Sequence, residues 1–219
     1  MEIWKLTKGG TAMAYFLSAV IGYLLGCSNM ALYISKYKGV DLRGHAGGNL
    51  GTANTVMVIG WVPGIIVGIH DIGKSALAIL IARLLFPGVE NITAVAGVSC
   101  VLGHMFPVFL KFKGGKGFAS YIGMMLMMNW QFGLCVLAAV VAVTLLFDYL
   151  TLGTTLTVLS LPIFLAVTNA GWLSVGLVLV ASAAIIWVHR ENYVRIAGGT
   201  EYGLRKTMKK EYRAEEEQV

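Results

Sequence analysis

Between Gly103 and Ser120 the chain reads GHMFPVFLKFKGGKGFAS, an apolar run that reaches a His and a Pro and then turns through paired glycines among three lysines. These residue types at this spacing suit the handling of a phosphate at a membrane surface. Gly114, Gly115 and Gly117 carry no Cβ to keep an anion from their backbone amides. Lys116 stands at the start of the next helix, where the macrodipole also favours negative charge. Lys111 and Lys113 read as ordinary cytoplasmic-side cations. His104 has two readings, a hydrogen-bonding member of the site or a buried polar group satisfied by a carbonyl.

Three further polar constellations lie far from this loop in sequence. Asp41-Leu42-Arg43 precedes Gly47-Gly48-Asn49-Leu50-Gly51-Thr52-Ala53-Asn54, a Gly-rich turn offering Asn49, Thr52 and Asn54 as donors. Tyr149 to Thr155 holds Thr151, Thr154 and Thr155, of which two are expected to cap a helix. His189-Arg190-Glu191-Asn192 leads to Arg195 and Gly199-Thr200-Glu201, with His189 and Asn192 one turn apart on one helix face. His70, Asp71 and Lys74 sit inside an apolar run, where ionisable groups are costly unless paired or functional. An Asp71–Lys74 ion pair three residues apart is the simple expectation, stiffening the helix beneath the site.

Positioning these groups falls to membrane helices. With 57% hydrophobic and 13% charged residues and a mean hydropathy of +0.75, the chain is read as an integral membrane protein. Its 219 residues leave room for roughly six to eight helices in one bundle and for no separate soluble domain. Seven apolar segments are expected, at Ala12–Ile34, Val56–Phe86, Ile92–Leu110, Phe118–Met128, Phe132–Leu146, Leu152–Val167 and Leu173–Val188. The second, about 45 Å if fully helical, must tilt, kink near Pro63-Gly64 or be two half-helices. The fourth is too short for a hydrocarbon core of about 30 Å and reads as tilted or re-entrant. Cys27, Cys100 and Cys135 have no metal-type or disulfide pattern and read as packing residues. The first segment is too long for a cleavable leader.

The cations give an orientation. With seven spans, Lys36, Lys38, Arg43, Lys111, Lys113, Lys116 and the Arg/Lys-rich tail share one side, expected to be cytoplasmic, with the amino terminus outside. Lys5 and Lys8 are the exception. Residues 1–203 are read as one membrane domain and 204–219 as a charged cytoplasmic tail. The net charge of +6 then belongs to anionic lipid headgroups, with no nucleic-acid partner expected. Every polar constellation falls on the same face.

These residues resemble the PlsY-type acyl-phosphate:glycerol-3-phosphate acyltransferases of bacteria over nearly the whole chain. Gly103-His104-x-Phe106-Pro107-x-Phe109-x-x-Phe112-x-Gly114-Gly115-Lys116-Gly117 is similar to that family's middle motif. His189-Arg190-Glu191-Asn192 with Gly199-Thr200-Glu201 is similar to its last, and Asp41-x-Arg43 with Gly48-Asn49-x-Gly51 and Asn54 to its first. Asp71-x-x-Lys74 matches a pair on its second span. The resemblance implies an all-α polytopic bundle of about seven transmembrane helices in the bacterial cell (inner) membrane. It implies transfer of a fatty acyl group from acyl-phosphate to the 1-hydroxyl of glycerol 3-phosphate, forming lysophosphatidic acid for phospholipid synthesis, with no cofactor and no metal.

On this reading Lys116, His189 and Asn192 are catalytic. Arg43, Gly48, Asn49, Gly51, Thr52, Asn54, His104, Gly114, Gly115, Gly117, Thr154 and Glu201 bind substrate. The departures are Gly47 in place of Ser, Ala53 in place of Thr, Met57 in place of a phosphate-clamping Arg, and Asp148 where the family carries Arg before Tyr149. They leave open a relative with another acceptor or a non-catalytic role in lipid synthesis. A small-anion or lipid transporter is the remaining alternative, weakened by the gathering of polar residues on one face rather than at the midplane.

Overall fold

The computed structural model describes residues 8–209, and among them every regular element is helical. Helix α1 (Lys8–Gly26) is followed by α2 (Met30–Lys38), α3 (Thr52–Val58), α4 (Trp61–Leu85) and α5 (Ile92–Met105). A 3₁₀ turn at Val108–Leu110 precedes α6 (Phe118–Met128), α7 (Trp130–Phe147), α8 (Leu150–Val167), α9 (Trp172–Val188), α10 (Arg190–Ala197) and α11 (Leu204–Lys209).

Each of the seven expected apolar segments contains helix, and three are broken, the third at Phe106-Pro107 between α5 and the 3₁₀ turn. The first divides at Cys27–Asn29, where the Asn29 side chain accepts from the Leu32 amide at 2.9 Å and so caps α2. The second is two helices rather than one kinked at Pro63. The break lies at Gly60, whose φ of +130° only glycine adopts readily. Pro63 falls in the first turn of α4, where its missing N–H removes no helical bond.

Among the described residues, five helical runs are long and apolar enough to cross a membrane, or six if α9 and α10, bent by 47° at His189, count as one. Helix α6, at 11 residues, does not reach that length. It is buried instead, with Tyr121, Met124 and Met125 fully enclosed among α4, α5 and α7. A short helix at membrane depth is tolerated where protein surrounds it. Large apolar side chains such as Phe16, Ile69, Leu84, Leu146, Ile163 and Val167 point outward, as a lipid-facing surface requires. Cys27 and Cys100 are buried as expected of packing residues, whereas Cys135 is exposed on α7.

Glycines bring the helices together. An added Cβ at Gly22 or Gly26 of α1 would strike the Ala96 or Cys100 carbonyl of α5, and one at Gly103 would strike Tyr23. Gly123 of α6 lies in the same way against Ile72 of α4. In lipid, where apolar side chains gain little from leaving the solvent, close backbone approach supplies much of the packing energy. Gly176, on α9, has nothing within 4 Å of its would-be Cβ. Gly26→Ala is therefore expected to lower the Tm of the purified protein by the equivalent of about 1–3 kcal/mol. Gly176→Ala is expected to leave it unchanged or raise it, and thermal unfolding in detergent compares the two.

Candidate active site

The loop after α5 is held by its own backbone. The Gly114 amide donates to the Met105 carbonyl and the Gly115 amide to the His104 carbonyl, both at 3.1 Å. Those two amides are therefore used inside the protein and do not face an anion, contrary to the sequence expectation. Their lack of a Cβ serves packing. One at Gly114 would meet the His104 carbonyl and Pro107, and one at Gly115 the His104 ring. Gly117, with φ +88°, turns the chain into α6 and lines the cavity together with Lys116. The first amides of α6 have no intrahelical acceptor, so the anion-favouring end of a helix opens on the cavity that Lys116 also lines.

Lys116 reaches across the bundle. Its Nζ donates to Asn192 Oδ1 at 2.5 Å, the Asn192 amide donates to the Glu201 carboxylate, and Glu201 Oε2 accepts from Arg195 Nε at 2.6 Å. Burial and then the neighbouring Arg195 charge lower the Lys116 pKa to about 8, against the opposing pull of Glu201 and Glu191. His189 sits at the bend between α9 and α10. Its Nδ1 lies 2.8 Å from the Ile185 carbonyl. A carbonyl only accepts, so Nδ1 carries the proton and Nε2 is the acceptor nitrogen of the neutral ring.

The loop before α3 is folded around Asn54. Its Oδ1 accepts from the Gly47 amide at 2.6 Å, and its Nδ2 donates to the Leu42 and Asn49 carbonyls at 2.6 and 2.8 Å. Asn54, 1% exposed, is thus a strut whose donors are engaged, rather than a free substrate donor. Asn49 Nδ2 donates to the Gly47 carbonyl at 2.7 Å. Arg43 and Gly48 do not line the cavity. Arg43 Nη2 instead donates to the Lys113 carbonyl at 2.9 Å, tying this loop to the lysine loop, and Gly48 supplies a φ of +63°. Thr52 Oγ1 is buried in the cavity wall without a partner among the described residues.

Beneath the loops lies a buried charge cluster. Asp71 and Lys74 pair at 2.8 Å as expected, and Lys74 Nζ also donates to the Ser28 carbonyl and to His104 Nδ1, each at 2.8 Å. His104 is therefore both a cavity-lining residue and the hydrogen-bond acceptor that completes the coordination of the Lys74 ammonium paired with Asp71. The threonines of α8 do not cap it. Thr154 and Thr155 hydroxyls donate back to the Leu150 and Thr151 carbonyls, and the residue before the helix, Tyr149, makes no side-chain cap.

All of this surrounds one cavity of about 450 Å³. Its polar wall contains Asn49, Thr52, Lys116, His189, Asn192 and Glu201, and its apolar wall includes Val56, Trp61, Ile72, Phe118, Ile122 and Leu150. Gly51, Gly117 and Thr154 line it too, as do the departures Gly47, Ala53 and Met57. Arg195, Tyr202, Leu204 and Thr207 also contribute, and the expected site residues did not include them. Arg195 was readable as the residue three after Asn192 on the same helical face. Leu204 and Thr207 belong to the segment read as tail, and Tyr202 lies just before it. Among the described residues no cluster of metal-ligating side chains occurs. Two cations and an unsatisfied hydroxyl beside an apolar wall suit a phosphate attached to, or meeting, a long apolar chain.

A model of the glycerol-3-phosphate acyltransferase family matches residues 16–199. A glycerol-3-phosphate acyltransferase of Parasynechococcus marenigrum strain WH8102 is 35% identical over 186 residues, spanning 84% of this chain and 87% of that relative. One from Coxiella burnetii is 36% identical over 191 residues, spanning 86% and 97%. The crystal structure of PlsY, an integral membrane glycerol 3-phosphate acyltransferase, in its glycerol 3-phosphate form superposes with a TM-score of 0.81 at 32% identity, over 87% of this chain and 95% of that one. Its lysophosphatidic acid form gives 0.78 at 32% identity, over 86% and 94%.

Removing the strut tests the geometry. Asn54→Ala forfeits three hydrogen bonds at about 1 kcal/mol each. Hydrogen exchange over residues 42–50 is expected to accelerate at least about tenfold while the exchange of α5 and α6 is unchanged.

Proposed function

The chain belongs to the glycerol-3-phosphate acyltransferase family, and from that premise we propose that it moves a fatty acyl group from an acyl-phosphate to the 1-hydroxyl of glycerol 3-phosphate. The products are lysophosphatidic acid and inorganic phosphate. The observation that carries this reading is the chain of contacts Lys116–Asn192–Glu201–Arg195 on the wall of one cavity that is otherwise largely apolar. The proposed setting is the bacterial cell membrane, with seven apolar segments, the amino terminus outside and the cavity open to the cytoplasm. The positive-inside distribution of Lys and Arg supports that orientation.

An acyl-phosphate is already activated, so orientation and charge stabilisation are what the protein must add. Lys116 and the start of α6 hold a phosphate, the ammonium exchanging its contact with Asn192 for one with the anion. Asn192 and His189 bind glycerol 3-phosphate and orient its hydroxyl. The hydroxyl oxygen attacks the acyl carbonyl carbon, its proton passes to a phosphate oxygen of a substrate, and the bond from carbonyl carbon to phosphate oxygen breaks as phosphate leaves. The apolar wall receives the acyl chain. Glu201 acts through its neighbours, holding Asn192 and Arg195 in place.

Gly47, Ala53 and Met57 favour a second reading, in which the acceptor has changed, because all three line the cavity and remove polar groups from it. Palmitoyl-phosphate and glycerol 3-phosphate, with phosphate release followed, separate the two. Lys116→Ala and His189→Ala are expected to lose at least about 100-fold in rate. Met57→Arg is expected to lower the KM for glycerol 3-phosphate about tenfold or more, the value of one charge-assisted contact. An active protein in which Met57→Arg leaves that KM unchanged would favour the other acceptor.

The pH profile tests Lys116 itself. Its ammonium is the binding form, so affinity for phosphate falls as pH rises through about 8 and the group discharges. In Lys116→Arg that component of the decline should vanish, because guanidinium stays charged throughout.

A further inference from the structure

Asp148, at the turn between α7 and α8, makes contacts that neither ion pairing nor the reaction as described requires. It ends α7 in the left-handed region, with φ +72° and its amide donating to the Thr144 carbonyl. That turn aims both its carbonyl and its carboxylate at the segment after α10. The Leu204 amide donates to the Asp148 carbonyl at 2.8 Å, and the Arg205 amide donates to Asp148 Oδ1 at 2.8 Å. Gly203 lies flat against the carboxylate, so that a Cβ there would overlap it. Arg205 Nη2 adds a bond to the Leu145 carbonyl at 3.3 Å. The Arg205–Asp148 ion pair, at 4.0 Å with the Arg side chain 70% exposed, contributes little. The backbone bonds are what hold the segment.

What is held is part of the cavity. Tyr202, Leu204 and Thr207 line it, as do Leu150, Thr151 and Thr154 from the helix that follows Asp148. Glu201, two residues before Gly203, is the carboxylate that seats Asn192 and Arg195. The segment from Gly198 to Leu204 is therefore tied at its start by the Thr200 amide to the Arg195 carbonyl, in the middle by Glu201, and at its end by Asp148.

We propose that Asp148 is a positioning residue for the acceptor half of the site: by clasping residues 203–205 it holds Tyr202, Leu204 and Thr207 as a cavity wall and keeps Glu201 seated on Asn192 and Arg195. The proposal rests on the acyltransferase reading above. Releasing the clasp loosens Arg195 and Asn192, and with Asn192 the resting contact of the Lys116 ammonium, while the Lys116 backbone and α6, anchored through α5, stay in place. The acceptor is affected and the acyl donor is not.

The test uses the full-length protein in detergent with palmitoyl-phosphate and glycerol 3-phosphate. Asp148→Gly removes the carboxylate and tolerates the left-handed turn. Asp148→Asn keeps an oxygen that accepts from the Arg205 amide. Gly203→Ala disturbs the same contact from the other side. Asp148→Gly and Gly203→Ala are each expected to raise the KM for glycerol 3-phosphate at least about fivefold, a loss of about 1 kcal/mol. The KM for palmitoyl-phosphate should stay within about twofold, and Asp148→Asn should resemble the unmodified protein. The double variant should be no worse than Asp148→Gly alone, because both changes act on one contact. Tryptic cleavage after Arg205 and Lys206 should be faster in both single variants. Unchanged KM values in Asp148→Gly, or a fall in kcat with both KM values unchanged, would overturn the proposal. An unmodified protein with no turnover would instead remove the acyltransferase reading. The clasp then stands or falls on proteolysis, and equal cleavage of Asp148→Gly and the unmodified protein overturns it.

Discussion

The hydrogen bond from Lys116 to Asn192 joins two parts of the chain 76 residues apart, and the rest of the site is arranged so that it can form. The ammonium is partly buried, which is unfavourable for a charge unless partners compensate. Asn192 supplies a neutral oxygen, and Glu201 supplies negative charge one step further away, already shared with Arg195. Asp71, the other carboxylate of the cavity wall, is committed to Lys74. The cavity is thus short of one anion. A phosphate meets that deficit more completely than the resting contacts do.

The membrane sets how the supporting frame can be built. Water is absent from the hydrocarbon core, so backbone groups must be satisfied by protein and irregular turns must lie at the helix ends or inside the bundle. Helix α6 begins inside the bundle, and its first turn stands beside the loop whose glycine amides bond back to α5. The break at Gly60 and the bend at His189 serve the same end, turning two apolar runs so that polar side chains face one cavity. Beneath the cavity the Lys74 ammonium, paired with Asp71 on α4, hydrogen-bonds His104 and the Ser28 carbonyl and so ties α4 to α5 and to the α1–α2 break.

Much of this was legible from residue types. Hydropathy located the five or six runs long enough to cross a membrane, because lipid-facing helices need long apolar runs irrespective of their neighbours, whereas the short α6 is apolar because protein encloses it. The pairing of Asp71 with Lys74 followed from a three-residue spacing. Lys116, His189 and Asn192 converge as their motifs implied. What failed depends on contacts distant in sequence. Nothing in Gly114-Gly115 distinguishes amides that face an anion from amides bonded to Met105 and His104. Asn54 offers the same donors whether it holds a loop or a ligand. The resemblance implies a substrate contact for Arg43, yet it lies outside the cavity wall and its Nη2 donates to the Lys113 carbonyl. The segment after Gly203 was read as tail because it is charged, and only its docking on Asp148 shows that Leu204 and Thr207 are cavity residues.

A double-mutant cycle over Lys116→Ala and Asn192→Ala, read as kcat/KM for phosphate release from palmitoyl-phosphate and glycerol 3-phosphate, tests the central claim that these two groups, bonded to each other in one cavity, act as one unit on the two substrates. Coupling of about 1 kcal/mol or more between the two substitutions is the predicted result. Two losses that simply add would contradict it, since side chains that act as one unit on neighbouring anions cannot contribute independently.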